Sequence, residues 1–290
     1  MQFPELQYNF KYLQTAIDSK ISIAYTDNGD TSNKKILLFI HGLSSYIPAW
    51  SKVIPLLEDH FRCIAIDLPG YGKSSAGVHS GNLSFYAESI SKFIHTLNLS
   101  KVTLVGHSMG GQISIATALN YSDQIDKLIL LAPAGFEQFT SEGKIWIKKN
   151  FSPEIIKLTS DKHIRSSFSS NFYLMPKDVE PMIEDRIKMK RWKNFSDYCK
   201  VVSNSLTGLL DYPVFDQLNK IVQRTLIIFG KNDKFIPQPL LHKDFNTEMI
   251  ASKGASLIRN SKLVLINECG HFLQFEKPEP VSKEIIEFMC

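Results

Sequence analysis

The sequence contains few cysteines and no long hydrophobic run. Its four cysteines stand far apart and form no Cys-x-x-Cys pair, so neither a zinc site nor a redox motif is predicted. The longest aliphatic runs, residues 36–40 and 128–132, are far too short to span a bilayer. The first residues also lack the basic and apolar regions of a signal peptide. We therefore expect a cytoplasmic protein that uses no metal or other cofactor and has no membrane partner.

The sequence also has little excess charge of either sign. Its 33 Lys and Arg residues against 29 Asp and Glu residues leave a net charge of +4 over 290 residues, too small to indicate a nucleic-acid partner. A hydrophobic fraction of 43% and a charged fraction of 21% are typical of globular domains, and they exclude collagen-like and disordered chains. The expected partner is a small-molecule substrate, and nothing in the composition indicates an oligomeric state.

Short apolar runs alternate with segments of helical period along most of the chain. The predicted strands are residues 21–25, 36–40, 63–66, 102–105, 128–131, 225–229 and 263–266. The predicted helices are residues 49–57, 83–97, 109–119, a stretch near 239–251, and a last one from about 279 to 289. Continuously apolar strands that are separated by helices indicate an α/β fold, in which a mostly parallel sheet is covered on both faces.

This alternation stops between residues 136 and 212. The segment contains no clear buried strand and is predicted to form several helices, with Pro153, Pro176 and Pro181 marking starts or turns. We interpret residues 136–212 as a helical cap over the end of the sheet where active sites lie. Residues 1–135 and 213–290 would then form the core.

Ser108 lies in the motif Gly106-His107-Ser108-Met109-Gly110, at a tight turn between a predicted strand and a predicted helix. Gly-x-Ser-x-Gly in this context is the pattern of a nucleophile turn, because small residues on both sides let the strand and the helix approach each other. Such a turn lifts the hydroxyl above the sheet and directs the Met109 N–H at the reacting carbonyl. Ser108 is therefore the predicted nucleophile, and we expect the neighbouring His107 to point away from it.

A nucleophilic serine needs a base, and the base needs an orienting acid. His271 and Asp233 each follow a predicted strand, so both are expected at the same end of the sheet as Ser108. Asp67 also follows a strand and is the rival acid, but the order serine, acid, histidine favours Asp233. His41 follows a strand as well, and we interpret it as a residue that shapes its loop.

Four segments together resemble the α/β-hydrolase superfamily, and the resemblance covers nearly the whole chain. They are the nucleophile turn, Phe39-Ile40-His41-Gly42 with Trp50 downstream, Asp67 to Ser74, and Cys269-Gly270-His271 followed by Glu276-x-Pro278. The resemblance implies an eight-stranded, mostly parallel sheet with a helical cap inserted after the sixth strand. It also implies that Leu43 N–H joins Met109 N–H in an oxyanion hole. The candidate first strand lies within residues 8–16.

Serine at the nucleophile position implies acyl chemistry, in contrast to the aspartate of dehalogenase and epoxide hydrolase relatives. We expect a carboxylesterase-like hydrolase that cleaves a small or medium ester. One alternative is a carbon–carbon bond hydrolase of aromatic breakdown, although Ser44-Ser45-Tyr46 and Ser51-Lys52 depart from the pattern that is common in that group. A ligand-binding protein with vestigial activity is the other alternative.

The predicted cap decides which substrate fits. Its aromatic residues either cover an apolar pocket or pack the helices onto the sheet, and Trp146, Phe172 and Trp192 are the predicted pocket residues. The basic run from Arg186 to Lys193 is interpreted as a solvated helix face rather than as a site for acidic substrates. The expected substrate is thus mostly uncharged.

Overall fold

A twisted eight-stranded sheet lies at the centre of the computed structural model, which describes residues 6, 8, 10–29, 34–75 and 77–290. The strands are β1 Leu13–Ala16, β2 Ser22–Asp27, β3 Ile36–Ile40, β4 Arg62–Ile66, β5 Val102–His107, β6 Ile125–Leu131, β7 Arg224–Gly230 and β8 Ser261–Ile266. Their order across the sheet is β1-β2-β4-β3-β5-β6-β7-β8. Strand β2 runs antiparallel to β1 and β4, and β3 to β8 pair in parallel. The predicted fold class is confirmed.

The central strands are buried on both faces because helices cover the sheet. Strand β5 is buried along its whole length, and the last four residues of β3, β4 and β6 are buried as well. The covering helices are α1 Leu83–Thr96, α2 Met109–Asn120, α8 Thr247–Leu257 and α10 Pro278–Met289, and the short helix α9 Leu273–Glu276 precedes α10. Asn82 caps the start of α1, because its side chain accepts the Phe85 N–H at 2.7 Å. The core therefore lies on both sides of the sheet.

Five helices lie between β6 and β7, where the chain was expected to leave the sheet. They are α3 Ser141–Asn150, α4 Pro153–Leu158, α5 Asp161–Ser170, α6 Glu180–Met189 and α7 Phe195–Asp211. The side chains of Thr140, Ser152 and Ser160 cap the first three, so local sequence sets where these helices begin. A hydrogen bond connects these helices to the loop after β3: Tyr46 Oη in that loop donates to Oδ2 of Asp185 in α6 at 2.7 Å.

Two predicted helices differ from those observed. In place of the helix predicted for residues 49–57, the structure has two 3-10 turns, Ile47–Trp50 and Ile54–Leu56. Pro55 lies inside the predicted helix and supplies no N–H to continue it. The helix expected near 239–251 begins only at Thr247, where the Asn246 side chain caps it by accepting the Met249 N–H at 2.9 Å. Strand β1 occupies the end of the predicted 8–16 segment. Within the described residues, no helix is long and apolar enough to cross a membrane.

Candidate active site

The turn that carries Ser108 is strained, and only glycine fits two positions before it and two positions after it. Ser108 has φ 53° and ψ −116°, a backbone conformation that residues other than glycine rarely adopt. A Cβ atom at Gly106 would lie 2.4 Å from the Gly110 carbonyl oxygen, and one at Gly110 would lie 2.1 Å from the Ile40 carbonyl oxygen. Strand β5, helix α2 and the end of β3 therefore meet too closely for any side chain. This packing holds the Ser108 hydroxyl at the carboxyl edge of the sheet.

His271 and Asp233 form a buried pair at the same edge. The Nδ1 atom of His271 lies 2.7 Å from Oδ2 of Asp233. The other carboxylate oxygen accepts the N–H groups of Phe235 at 2.7 Å and Ile236 at 3.0 Å. Because the carboxylate is fixed and its side chain is fully buried, a neutral His271 bonded to it would carry its hydrogen on Nδ1 and present Nε2 as the acceptor.

Asp67, the rival acid, is bonded to other loops. Its carboxylate accepts the N–H groups of Ile47 at 2.8 Å and Lys73 at 2.7 Å, and also the Tyr8 hydroxyl. Burial raises the pKa of Asp67 to about 6, although these hydrogen bonds act in the opposite direction. Its contacts join the N-terminal segment to the loops that follow β3 and β4, so we assign Asp67 a structural position.

Two backbone N–H groups lie beside Ser108 without an acceptor. Among the described residues, neither the Leu43 N–H nor the Met109 N–H donates a hydrogen bond. The loop that carries Leu43 lies against the turn, because a Cβ atom at Gly42 would be 3.2 Å from the Ser108 Cβ. Met109 is the first residue of α2, where the helix dipole adds partial positive charge. This geometry suits a developing negative oxygen.

His41 shapes its loop. Its Nδ1 donates to the Gly42 carbonyl at 2.8 Å, and its Nε2 accepts the Leu68 N–H at 3.0 Å. Burial lowers the pKa of His41 to about 4, so the ring is neutral at physiological pH. It connects the loop after β3 to the loop after β4 without adding charge beside Ser108.

His107 supports the proposed base, a role that sequence reasoning missed. Its Nε2 lies 2.9 Å from the His271 carbonyl oxygen, and the two rings are 4.9 Å apart. Burial holds the pKa of His107 well below its usual range, so the neutral ring donates through Nε2. The two residues are 164 positions apart, and no local pattern indicates the contact.

The predicted pocket residues take different positions. Phe172 is fully buried, and its ring contacts Phe272 and Phe275 at centroid distances of 5.6 and 6.4 Å. It therefore packs the helical segment onto the histidine loop rather than presenting a surface to a ligand. Trp146 and Trp192 are half-buried, and their part in a pocket stays a prediction.

Arg186 differs from the solvated charge expected in the basic run. Its guanidinium lies 4.7 Å from the Tyr198 ring centre, and its Nη1 is buried without an acceptor among the described residues. Tyr198 packs against Tyr71, and Tyr71 against His41. These ring contacts thus connect His41, two residues before Leu43, to the half-buried guanidinium of Arg186.

The buried cysteine beside His271 is not a reactive thiol. Cys269 is fully buried, and burial raises the pKa of its thiol to about 12, so it stays protonated. In the parts of the chain that the structure describes, no group of three or more His, Cys, Asp or Glu side chains could hold a metal ion. Ser108 is the nucleophile candidate that this edge of the sheet presents.

The comparisons with known proteins show the family to which the chain belongs. The alpha/beta hydrolase fold family matches residues 35–278, so the chain belongs to that family. It is 26% identical over 284 residues to 2-hydroxy-6-oxononadienedioate/2-hydroxy-6-oxononatrienedioate hydrolase 1 of Pseudomonas putida, covering 94% of this chain and 93% of the relative. The hydrolase of the same name from Escherichia coli O139:H28 is 27% identical, covering 93% and 91%. The chain is a hydrolase.

A solved structure shares the fold over almost the whole length. A probable hydrolytic enzyme of Pseudomonas aeruginosa PAO1 superposes with a TM-score of 0.88 at 24% identity, covering 99% of this chain and 96% of the other. At this identity the similarity concerns the fold, which is the family's eight-stranded sheet.

Proposed function

We propose that the protein is a serine hydrolase in which Ser108 attacks, His271 transfers protons, and Asp233 orients His271. The observation that carries this proposal is the 2.7 Å contact between His271 and Asp233 at the sheet edge where the strained turn presents Ser108. The N–H groups of Leu43 and Met109 would stabilise the oxyanion. We treat residues 136–212 as the cap that covers this site.

The proposed reaction proceeds through an acyl-enzyme. His271 takes the Ser108 proton as the serine oxygen adds to a carbonyl carbon, and the negative oxygen is held by the two N–H groups. The bond beside the carbonyl then breaks, and the leaving group takes the proton from His271. Water attacks the acyl-enzyme in the second half, with His271 again as base, and Ser108 is regenerated. The same plan serves carbon–carbon bond cleavage once the 2-hydroxy-diene has shifted its hydroxyl proton to the carbon beside the 6-oxo group, because the electron pair of the broken bond then passes into the conjugated 2-oxo group.

The relatives favour cleavage of a carbon–carbon bond, which was the alternative, over cleavage of an ester. Their named substrate is an oxo-dienedioate with no ester or amide bond, so its hydrolysis breaks a carbon–carbon bond next to the ketone. Such a substrate carries carboxylates, and Arg186 offers a half-buried guanidinium with an unused donor. We therefore propose that this chain cleaves a carbon–carbon bond in an anionic oxo acid.

Ester cleavage remains the second candidate, supported by the half-buried Trp146 and Trp192 in the cap, which suit an apolar acyl group. A vestigial ligand-binding role is disfavoured, because a binding protein has no need of a strained serine beside an oriented histidine.

Parallel rate measurements would test the choice of bond. Purified protein is assayed with two substrates separately. Cleavage of 2-hydroxy-6-oxononadienedioate is monitored by the loss of its conjugated absorbance, and cleavage of p-nitrophenyl butyrate by the release of nitrophenolate. We expect kcat/KM to be at least about tenfold higher for the oxo acid, because only that substrate can use an ion pair with Arg186. A preference for the uncharged ester would contradict the proposal and favour the second candidate. Ser108→Ala should lose nearly all of both activities.

A further inference from the structure

A short segment of the helical region is bonded directly to the loop that carries His271. We call residues 171–174 the strap; they follow α5, which ends at Ser170. The strap's Asn171 carbonyl accepts the Phe272 N–H at 3.0 Å. A Cβ atom at Gly270 would lie 2.5 Å from the same carbonyl oxygen. The residues before and after His271 are therefore both in close contact with the strap.

Glu276 joins these two pieces of backbone through its carboxylate. Oε2 accepts the Gly270 N–H at 2.7 Å and the Tyr173 N–H at 3.2 Å, and Oε1 accepts the Leu174 N–H at 2.7 Å. Hydrogen bonds to a carboxylate are stronger than those between neutral groups. One side chain thus connects the residue immediately before His271 to two consecutive residues of the strap.

The acid loop contacts the strap as well. Lys234, which follows Asp233, donates from Nζ to the Phe172 carbonyl at 3.1 Å. The Phe172 ring is fully buried against the histidine loop, so the strap cannot shift without disturbing that packing. The strap is consequently held by neighbours of both members of the His271–Asp233 pair.

We propose that Glu276 is a positioning residue, which acts through the Gly270 backbone and the strap to hold His271 in line with Asp233 and Ser108. The inference rests on the proposed function, in which His271 is the base. The position of the strap and the orientation of His271 would then both depend on the Glu276 carboxylate. A displacement of about 1 Å in a catalytic group can lower a rate about 100-fold.

The test compares Glu276→Ala and Glu276→Gln with Glu279→Gln, an exposed acid three residues further on. The first readout is the rate at which a fluorophosphonate labels Ser108. We expect a loss of about 100-fold for Glu276→Ala and about tenfold for Glu276→Gln, since an amide can accept with only one of its two polar atoms. Glu279→Gln should label at the wild-type rate.

The second readout is the proton NMR resonance of His271 Nδ1–H, which the short bond to Asp233 shifts far downfield. It should broaden or move upfield in both Glu276 variants and stay unchanged in Glu279→Gln. If a folded Glu276→Gln protein keeps both the wild-type labelling rate and the wild-type resonance, the inference is wrong, even if Glu276→Ala does not fold. If the wild-type protein itself is not labelled, the proposed function fails, while the resonance still tests Glu276.

Discussion

The sheet and its loops are built differently from the helical region between β6 and β7. Around Ser108 the backbone segments lie so close together that only glycine fits at positions 106 and 110. In the helical region large apolar side chains remain in contact with water, including Leu158 at 82% and Leu174 at 77% exposure. Its ion pairs, such as Lys148–Asp211 and Lys190–Asp161, involve partly exposed side chains, and such pairs contribute little to stability.

This difference indicates where chemistry and specificity reside. The tightly packed edge of the sheet leaves one arrangement for the proposed nucleophile, base and acid. Many side chains of the helical region are exposed, so its surface can change without loss of the fold. We therefore expect substitutions at the sheet edge to remove the reaction itself, and substitutions among the helices to change which substrate is accepted.

The largest effect is expected for Ser108→Ala. Removing the nucleophile should lower kcat about 10⁵-fold, leaving the residual rate that the oxyanion hole and substrate binding provide. The melting temperature should change little, because the hydroxyl makes no core contact. Ser84→Ala, an exposed serine in α1, is the control for kcat. Near wild-type turnover in Ser108→Ala would show that another group is the nucleophile.

A comparison of Asp233→Asn with Asp67→Asn separates the proposed acid from its rival. An amide at position 233 would donate toward Nδ1 of His271 and favour the wrong tautomer, so kcat should fall about 10⁴-fold. Asp67 is bonded to Ile47, Lys73 and Tyr8 instead, so its variant should keep most of its kcat if it is folded. The reverse ranking in steady-state rates, with both variants folded by circular dichroism, would assign the acid to Asp67.

The sequence predicts the backbone of this site better than its supporting contacts. Strand β3 has the predicted bounds because it is wholly apolar, and Asp233 and His271 could be paired because each follows a strand of one parallel sheet. The contacts of His107 and Glu276 could not be predicted, since they join residues 164 and 102 to 103 positions apart through tertiary packing. Arg186 was misjudged because a basic run does not reveal which member turns inward.

A smaller effect, confined to substrate binding, is expected for Arg186→Gln. If its buried Nη1 meets a substrate carboxylate, the loss of one charged hydrogen bond should raise KM for the oxo acid about 10- to 100-fold. KM for p-nitrophenyl butyrate should stay the same, since that ester has no carboxylate. Arg191→Gln, an exposed member of the same basic run, is the matched control. Equal changes in KM for both substrates would mean that Arg186 acts through packing alone.

The last effect concerns stability rather than turnover and tests whether Asp67 is structural. Because burial raises the pKa of Asp67 to about 6, the folded protein binds this proton more tightly than the unfolded chain, whose aspartates titrate near 3.9. Between these two values the folded state holds more protons, so its free energy of unfolding must fall as the pH rises. From pH 4 to pH 7 the loss should amount to about 2 kcal/mol relative to Asp67→Asn, which cannot titrate. Urea unfolding of both proteins across this range measures the difference and cancels the groups that they share. A difference that is independent of pH would show that Asp67 is ionised in the fold as readily as in the unfolded chain, held so by the N–H groups of Ile47 and Lys73.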